Sequence, residues 1–339
     1  MNPREAVAGA AIGYAEPDLM LRVVSRREVA RDIVAFELEA ADYLPLPGFD
    51  AGAHLEIDCD GAARHYSLCG DPADPLRYRI AVQREAQGRG GSRYLCEHVA
   101  AGDTLAASGP RNHFPMHAAQ RSALLVSGGI GITPMLAMAW ALHAAGLPFA
   151  LHDFAASAER QAFADELDGA PWRACVTRHL GRCADFVPLV GGFEPGRHLY
   201  VCGPFAMIDA VLDTARALGW PEDHLHCERF SAPAAAASNA SDAAGAAAPA
   251  DTPFEVELAS SGRRVAVAAG QSVCAALAGA GVQVPMSCEQ GVCGACITRV
   301  LAGTPEHRDW VLSAQEQAAG TLFTPCCSRA KTPLLVLDL

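Results

Sequence analysis

No stretch of the 339-residue chain comes near 18 uninterrupted apolar residues, so no membrane span is expected. Positive charge is scarce. The 26 Lys and Arg face 38 Asp and Glu, and the net charge of −12 argues against nucleic acid or an anionic membrane surface as a partner. The opening residues MNPREAVAGAAIGYAEPD carry acidic side chains and no long apolar core, so they lack a secretory pattern and the expected location is cytoplasmic. Internal repeats are absent, and so is a GxGxxG fingerprint. The thirteen cysteines do not make a disulfide scaffold, because their number is odd and Cys59, Cys69, Cys96, Cys175, Cys183, Cys202, Cys227 and Cys274 are scattered. Such thiols are expected to be reduced and mostly buried.

The remaining cysteines are not scattered. Cys288, Cys293 and Cys296 fall in SCEQGVCGACITRV, and TPCCSRA follows far downstream. This is the plant-type spacing for four thiolates around a 2Fe–2S cluster. Three thiolates in one loop need sharp turns, which Gly291 and Gly294 permit. Zinc sites usually show two CxxC-like pairs, and here only Cys293 and Cys296 form one. Spacing alone leaves Cys326 and Cys327 both open as the fourth ligand. A chain ending in a one-electron carrier needs an electron source upstream and a consumer outside itself.

The texture of the chain predicts a multidomain protein. Residues 19–118 hold short β-forming runs (LRVVSRREV, IVAFELEA, HLEIDCDG, RHYSLCG, YRIAVQRE) broken by Gly, Pro and Asp, which predict an antiparallel β-barrel or sandwich. Residues 119–230 alternate apolar strands with helical patterns and predict a parallel-sheet α/β domain. Residues 231–252, SAPAAAASNASDAAGAAAPADT, have no large apolar side chain and read as a mobile linker. Residues 253–339 predict an α+β, β-grasp-like ferredoxin module. It has a hairpin in PFEVELASSGRRVAVAAG, a helix over about 272–280, a strand in ITRVLAG, capping-box spacing at Ser313 and Glu316, and a closing strand in LLVLDL.

Two strand ends in the α/β region suit a dinucleotide. In LLVSGGIGITPM, Gly128, Gly129 and Gly131 allow close approach of a pyrophosphate, and Thr133 is placed to cap the following helix, with Pro134 in its first turn. In YVCGPFAM, a buried strand ends at Cys202, Gly203 and Pro204, on the edge where such folds bind ligands. In the β-rich region, Arg64-His65-Tyr66-Ser67 offers a phosphate partner, a ring to pack on an isoalloxazine and a hydroxyl for its reactive nitrogen. GRGGS, with Gly90, Gly91 and Ser92, is a phosphate-loop candidate.

Together RHYSL, GRGGS, GPRNHF, SGGIGITPM, YVCGP, CERF, SCEQGVCGAC and TPCCSRA, in this order, resemble the phthalate dioxygenase reductase family, which includes vanillate O-demethylase reductases. The resemblance implies FMN in the barrel, NADH in the middle domain and a 2Fe–2S cluster at the end. It implies that Arg64, Tyr66 and Ser67 hold FMN, with Gly91 and Ser92 near its phosphate. Gly129, Thr133, Cys202 and Gly203 then line the NADH path, Phe230 lies near the flavin, and Cys326 rather than Cys327 is the fourth ligand. Relatives often carry Arg where Ala156 stands before Ser157, which favours NADH over NADPH; Asp153 is either a ribose ligand or a solvated loop residue.

The implied path runs from NADH through FMN and the cluster to a protein partner, the Rieske-type terminal oxygenase of an aromatic dioxygenase or O-demethylase system. Plant-type clusters near about −400 mV would deliver electrons downhill to Rieske centres at about −150 to +300 mV. Hydride transfer needs no general acid or base, so none of the twelve histidines is cast as catalytic, including His65 and His113 beside the flavin motifs. Ser67 and Cys202 are expected to orient the two reacting rings. The competing readings are a reductase for a diiron or other non-Rieske oxygenase, a self-sufficient NADH oxidase, and a redox-sensing interaction protein.

Overall fold

The computed structural model describes residues 18–230 and 251–339, apart from positions 87, 89, 182, 184 and 287. Most of the expected linker, residues 231–250, lies outside the described residues. The described residues fall into two contact units, 18–230 and 251–339.

The first unit begins with strands β1 (Leu19–Ala30), β2 (Ile33–Ala40), β3 (Ala53–Asp58), β4 (Ala63–Ser67) and β5 (Tyr78–Gln83), then helix α1 (Gly91–His98) and β6 (Thr104–Asn112). They form an antiparallel sheet in the order β4-β3-β6-β1-β2-β5, and a bridge from Leu68 to Ile80 joins its two ends into the expected barrel. Alternation drives this closure. Leu21 and Val23 of β1, Phe36 and Leu38 of β2, and Leu55 and Ile57 of β3 point inward and are fully buried.

Next come β7 (Ser122–Gly128), α2 (Ile132–Ala144), β8 (Phe149–Ala155), α3 (Ala164–Gly169), β9 (Val176–Leu180), α4 (Val187–Val190), β10 (Arg197–Cys202), α5 (Phe205–Ala217) and β11 (Leu225–Glu228). The sheet is parallel, in the order β11-β10-β7-β8-β9. Central β7 is buried on both faces: Leu125 joins the core shared with α2, and Leu124 and Val126 join the core on the α5 side. The barrel and this sheet share one core and are clamped at the edge, where Arg79 of β5 donates to both carboxylate oxygens of Glu166 in α3 at 2.9 and 2.7 Å.

The second unit holds β12 (Phe254–Leu258), β13 (Arg264–Val267), α6 (Val273–Gly279), β14 (Thr298–Ala302), β15 (Pro305–Glu306), α7 (Ala314–Ala319), β16 (Leu322–Phe323), β17 (Arg329–Ala330) and β18 (Leu334–Leu337). The β12–β13 hairpin pairs with β18 in parallel, which wraps the sheet around α6. Ser272 caps α6 by accepting from Ala275 N at 3.1 Å, and Ser313 and Glu316 form the expected capping box on α7. The last two residues assigned to the linker are held in this unit. Asp251 pairs with Arg308 at 2.8 Å, and the Thr252 carbonyl accepts from Arg329 at 3.0 Å. Among the described residues no helix is long and apolar enough to cross a membrane.

Of the eight scattered cysteines, Cys59, Cys69, Cys96, Cys202 and Cys274 are buried, Cys175 and Cys183 are half-buried, and Cys227 is exposed. Two histidines, His54 and His198, are buried. His198 stacks on His117 and His224 at 4.3 Å each, and its Nδ1 lies 2.9 Å from His226 Nε2. Burial lowers His198 and His226 to about 4, as it does His152, and lowers His54 to about 3. The unfolded chain takes up these protons near pH 6.5, whereas the folded chain refuses them until about pH 4. The stabilisation is therefore complete above pH 6.5 and is lost as pH falls towards 4. The urea midpoint is expected to drop steadily across that window, and His198→Phe, which can stack but not titrate, should flatten the slope. A midpoint constant from pH 7 to 4.5 would contradict this.

Candidate functional site: a flavin and nucleotide cleft and a thiol cradle

The ends of β7 and β10 approach so closely that side chains are excluded. A Cβ on Gly131 would lie 2.5 Å from the Cys202 carbonyl carbon, and one on Gly128 would lie 2.8 Å from Pro204 and from the Met207 sulfur. Gly203 packs back on Gly128. Gly129 has φ +57°, which starts the turn into α2. Thr133 does not cap α2 as expected. The N-cap is Gly131, with no side-chain cap, and the Thr133 hydroxyl donates to the Ile130 carbonyl at 2.9 Å. The turn from Ile130 to Thr133 satisfies that hydroxyl locally and leaves the helix N-terminus to a ligand.

On the barrel, Arg64 and Tyr66 share one face of β4 and His65 and Ser67 the other. The stem of Arg64 covers Gly91, where a Cβ would meet its Cγ at 2.7 Å, so the guanidinium stands at the N-terminus of α1. That end starts at Gly90 with φ 96° and no side-chain cap, and Ser92 Oγ accepts from Glu85 N at 3.1 Å. Tyr66 is half-buried, and burial raises its phenol well above the usual range. His65 is not placed with Arg64 and Tyr66. Its Nε2 is 3.1 Å from Glu56 and its ring lies against His54 at 4.4 Å, because strand alternation turns it to the opposite face.

Ser67 and Cys202 are brought together by a residue that the motifs did not single out. Ser67 Oγ donates to Glu228 Oε2 at 3.4 Å, and Glu228 is the register partner of Cys202 across β10 and β11. Burial pushes the Glu228 carboxyl up to about 8, with the Ser67 hydrogen bond acting the other way. Cys202 is fully buried, and burial holds its thiol protonated. Phe230, two residues beyond Glu228, is 41% exposed. Asp153 is neither a ribose ligand nor a solvated loop residue. It is 2% exposed and accepts from Ser127 at 2.7 Å and Gln161 at 3.1 Å.

In the second unit, Cys288, Cys293, Cys296 and Cys326 converge. Cys326 is in thiol contact with both Cys288 and Cys296, and Cys288 with Cys293. Hydrogen bonds from Cys293 and Cys326, and from Gln290 N and Val292 N at 3.4 Å each, hold the Cys288 thiol well below its usual range. Gly291 and Gly294 have φ +71° and +76°. Cys327 meets the Cys326 thiol and two hydroxyls, with Sγ 3.5 Å from Thr324 Oγ1 and 3.8 Å from Ser328 Oγ. Four thiols with backbone N–H groups aimed at sulfur fit a 2Fe–2S cluster, with Cys326 as the fourth donor.

Residues 256–331 match the 2Fe-2S iron-sulfur cluster binding domain family. The chain is 45% identical to a vanillate O-demethylase oxidoreductase of Pseudomonas putida over 94% of its own length and 98% of the relative's. It is 41% identical to a phthalate dioxygenase reductase of Burkholderia cepacia, covering 95% and 97% of the two chains. The chain belongs to the phthalate dioxygenase reductase family. A solved phthalate dioxygenase reductase, described as a modular structure for electron transfer from pyridine nucleotides to [2Fe-2S], matches 95% of this chain and 98% of its own with TM-score 0.69 and 41% identity. An intact type IV self-sufficient cytochrome P450 monooxygenase matches 95% of this chain and 41% of its own with TM-score 0.81 and 37% identity. This family member is an NADH-dependent flavin iron–sulfur oxidoreductase, and its cofactors are FMN, NADH and a 2Fe–2S cluster.

Three substitutions test the assignments. Cys326→Ser is expected to lose most bound iron and visible circular dichroism, while Cys327→Ser keeps both; the reverse pattern would make Cys327 the ligand. Gly131→Ala should abolish NADH-driven bleaching of the flavin band, because its Cβ meets the Cys202 carbonyl group. Dithionite reduction of the cluster should be unaffected, and normal NADH reduction of the variant would contradict the steric argument.

Proposed function

We propose that the chain is the reductase component of a Rieske-type terminal oxygenase acting on an aromatic substrate, as a dioxygenase or O-demethylase, in the cytoplasm. The observation that carries the reading is the gathering of Ser67, Glu228 and Cys202 where barrel and parallel sheet meet. When bound, FMN takes a hydride from NADH and yields single electrons, which the cluster relays to a protein acceptor.

The chain's own groups have separable tasks in this reading. Arg64 and the open N-terminus of α1 take the flavin phosphate, with Gly90, Gly91 and Ser92 letting it approach. Tyr66 would pack on the ring, and the exposed Phe230 would supply a second aromatic surface for it. Gly128, Gly129, Gly131 and the start of α2 receive the dinucleotide pyrophosphate, and Gly203 and Pro204 shape the opposite wall. Ser67 orients the reacting edge of the flavin, Glu228 fixes the Ser67 hydroxyl and holds a proton on its carboxyl at neutral pH, and buried Cys202 excludes water behind the nicotinamide. Ala156 supplies no cation for a 2′-phosphate, which favours NADH over NADPH.

A second reading, a haem oxygenase as acceptor, has its own support. The chain is 40% identical to a heme-dependent oxidative N-demethylase beta subunit over 95% of its length, and the P450 match carries a similar module within a longer chain. Stopped-flow reduction followed by mixing with purified acceptors separates the two: a Rieske oxygenase should reoxidise the cluster in a single fast phase, and reoxidation only by a haem oxygenase would replace the first reading. Ser67→Ala is expected to slow flavin bleaching by NADH about 10²-fold, the scale for removing one preorganised donor. Glu228→Gln should remove any rate inflection near pH 8. Unchanged rates in both variants would take Ser67 and Glu228 out of the site.

A further inference from the structure

The cluster cradle is built from two pieces of chain that are not neighbours in sequence: the loop Cys288–Cys296, and the segment Thr324–Ser328 that carries Cys326. One buried carboxylate reaches both. The Asp309 side chain is 0% exposed. It accepts from Thr324 Oγ1 at 3.2 Å and Ser328 Oγ at 3.3 Å, on either side of Cys326. Its second oxygen accepts from Leu312 N at 2.9 Å, and His307 Nδ1 lies 3.2 Å from the first.

The Asp309 backbone meets the other piece. A Cβ on Gly291, between Cys288 and Cys293, would lie 2.9 Å from Asp309 Cα and 2.5 Å from Cys327 Sγ. Trp310 N donates to Gly291 O at 2.9 Å, and Arg308 N donates to Ser328 Oγ at 3.0 Å. Residues 308–310 thus form a splint across the cradle, with the Asp309 carboxylate as the fixed charge at its centre. The Thr324 and Ser328 hydroxyls also lie 2.7 Å apart, so one can donate to the other while that one donates to Asp309, and loss of the carboxylate would leave the pair without the acceptor that orients it.

We infer that Asp309 is a positioning residue for the 2Fe–2S cluster: it holds the Cys326 segment against the Cys288–Cys296 loop, and its buried negative charge keeps the cluster's reduction potential low. The charge opposes the electron added on reduction, and burial limits its screening. A low potential suits a donor that must pass its electron onward. This rests on the cluster reading of the four cysteines.

Three full-length proteins test it by anaerobic redox titration, electron paramagnetic resonance of the reduced cluster, and iron release to a chelator. The wild type must first show a plant-type cluster signal; its absence would overturn the cluster reading and this inference together. Asp309→Asn keeps the shape but removes the charge and turns one acceptor oxygen into an NH2 donor, so either Leu312 N or the hydroxyl pair loses its acceptor. It is expected to raise the midpoint potential by about 59 mV, the one-electron equivalent of tenfold, and to speed iron release. Ser328→Ala cuts one tie and leaves the charge, so iron release should speed up with little shift in potential. An Asp309→Asn protein with wild-type potential would overturn the electrostatic role, and unchanged iron release in both variants would overturn the splint. If Asp309→Asn fails to hold a cluster at all, Ser328→Ala decides: wild-type iron release there refutes the inference, and faster release upholds the splint.

Discussion

The contact between the β7 turn and the end of β10 sets the limits for everything around it. Two parallel strands end side by side, and the backbone of one lies where the other would carry a side chain. Only glycine at 131 and 128 permits this. The result is a backbone-lined wall at the C-terminal edge of the sheet, with the N-terminus of α2 opening onto it. A dinucleotide can then lie on main chain rather than on side chains, which suits a cofactor that must bind and leave in each turnover. The same closeness fixes Cys202 in depth, and through strand pairing it fixes Glu228 beside it.

Chemistry carried by local spacing was legible in the sequence. The cysteine triplet, the glycine turns and the capping box are each set within a dozen residues, so the residue types and their separations imply the geometry. The barrel and the parallel sheet were also legible, because alternation and helical periodicity are local signals. What was not legible depends on which residues face each other across strands. Glu228 lies 161 residues from Ser67, and nothing in CERF distinguishes it from a surface carboxylate. Asp153 stands at a strand end, as a ribose ligand would, but its register partner is Ser127, and the two satisfy each other inside the sheet. His65 sits inside the same motif as Ser67 and on the Ser67 face of β4, where its ring nitrogen meets Glu56, a contact across strands that the motif does not announce. Thr133 has the right residue type for a cap, yet the helix begins at 132, two positions too early for it to serve.

The adjacent pair Cys326 and Cys327 shows how one backbone step divides two environments. Cys326 meets the Cys288 and Cys296 thiols, whereas Cys327 meets Cys326 and two hydroxyls, although the two residues are chemically identical. Spacing cannot separate them. The direction of each side chain at the end of an irregular segment can, and that direction is set by Asp309, Thr324 and Ser328 beneath them.

The scattered thiols have a bearing on how long such a protein lasts. A reductase with flavin and iron–sulfur centres works beside oxygen and the peroxide and superoxide that form when electrons leak to it. Thiolates are the form that those oxidants attack. Burial raises Cys59 to about 12 and Cys69 and Cys96 to about 11, so these sulfurs stay protonated and enclosed in the core. Cys227 is the exposed one of the eight, and burial of its sulfur still raises its thiol above the usual value. The fold thereby encloses the thiols of the barrel core, and oxidative wear is directed away from the core that holds the two sheets together.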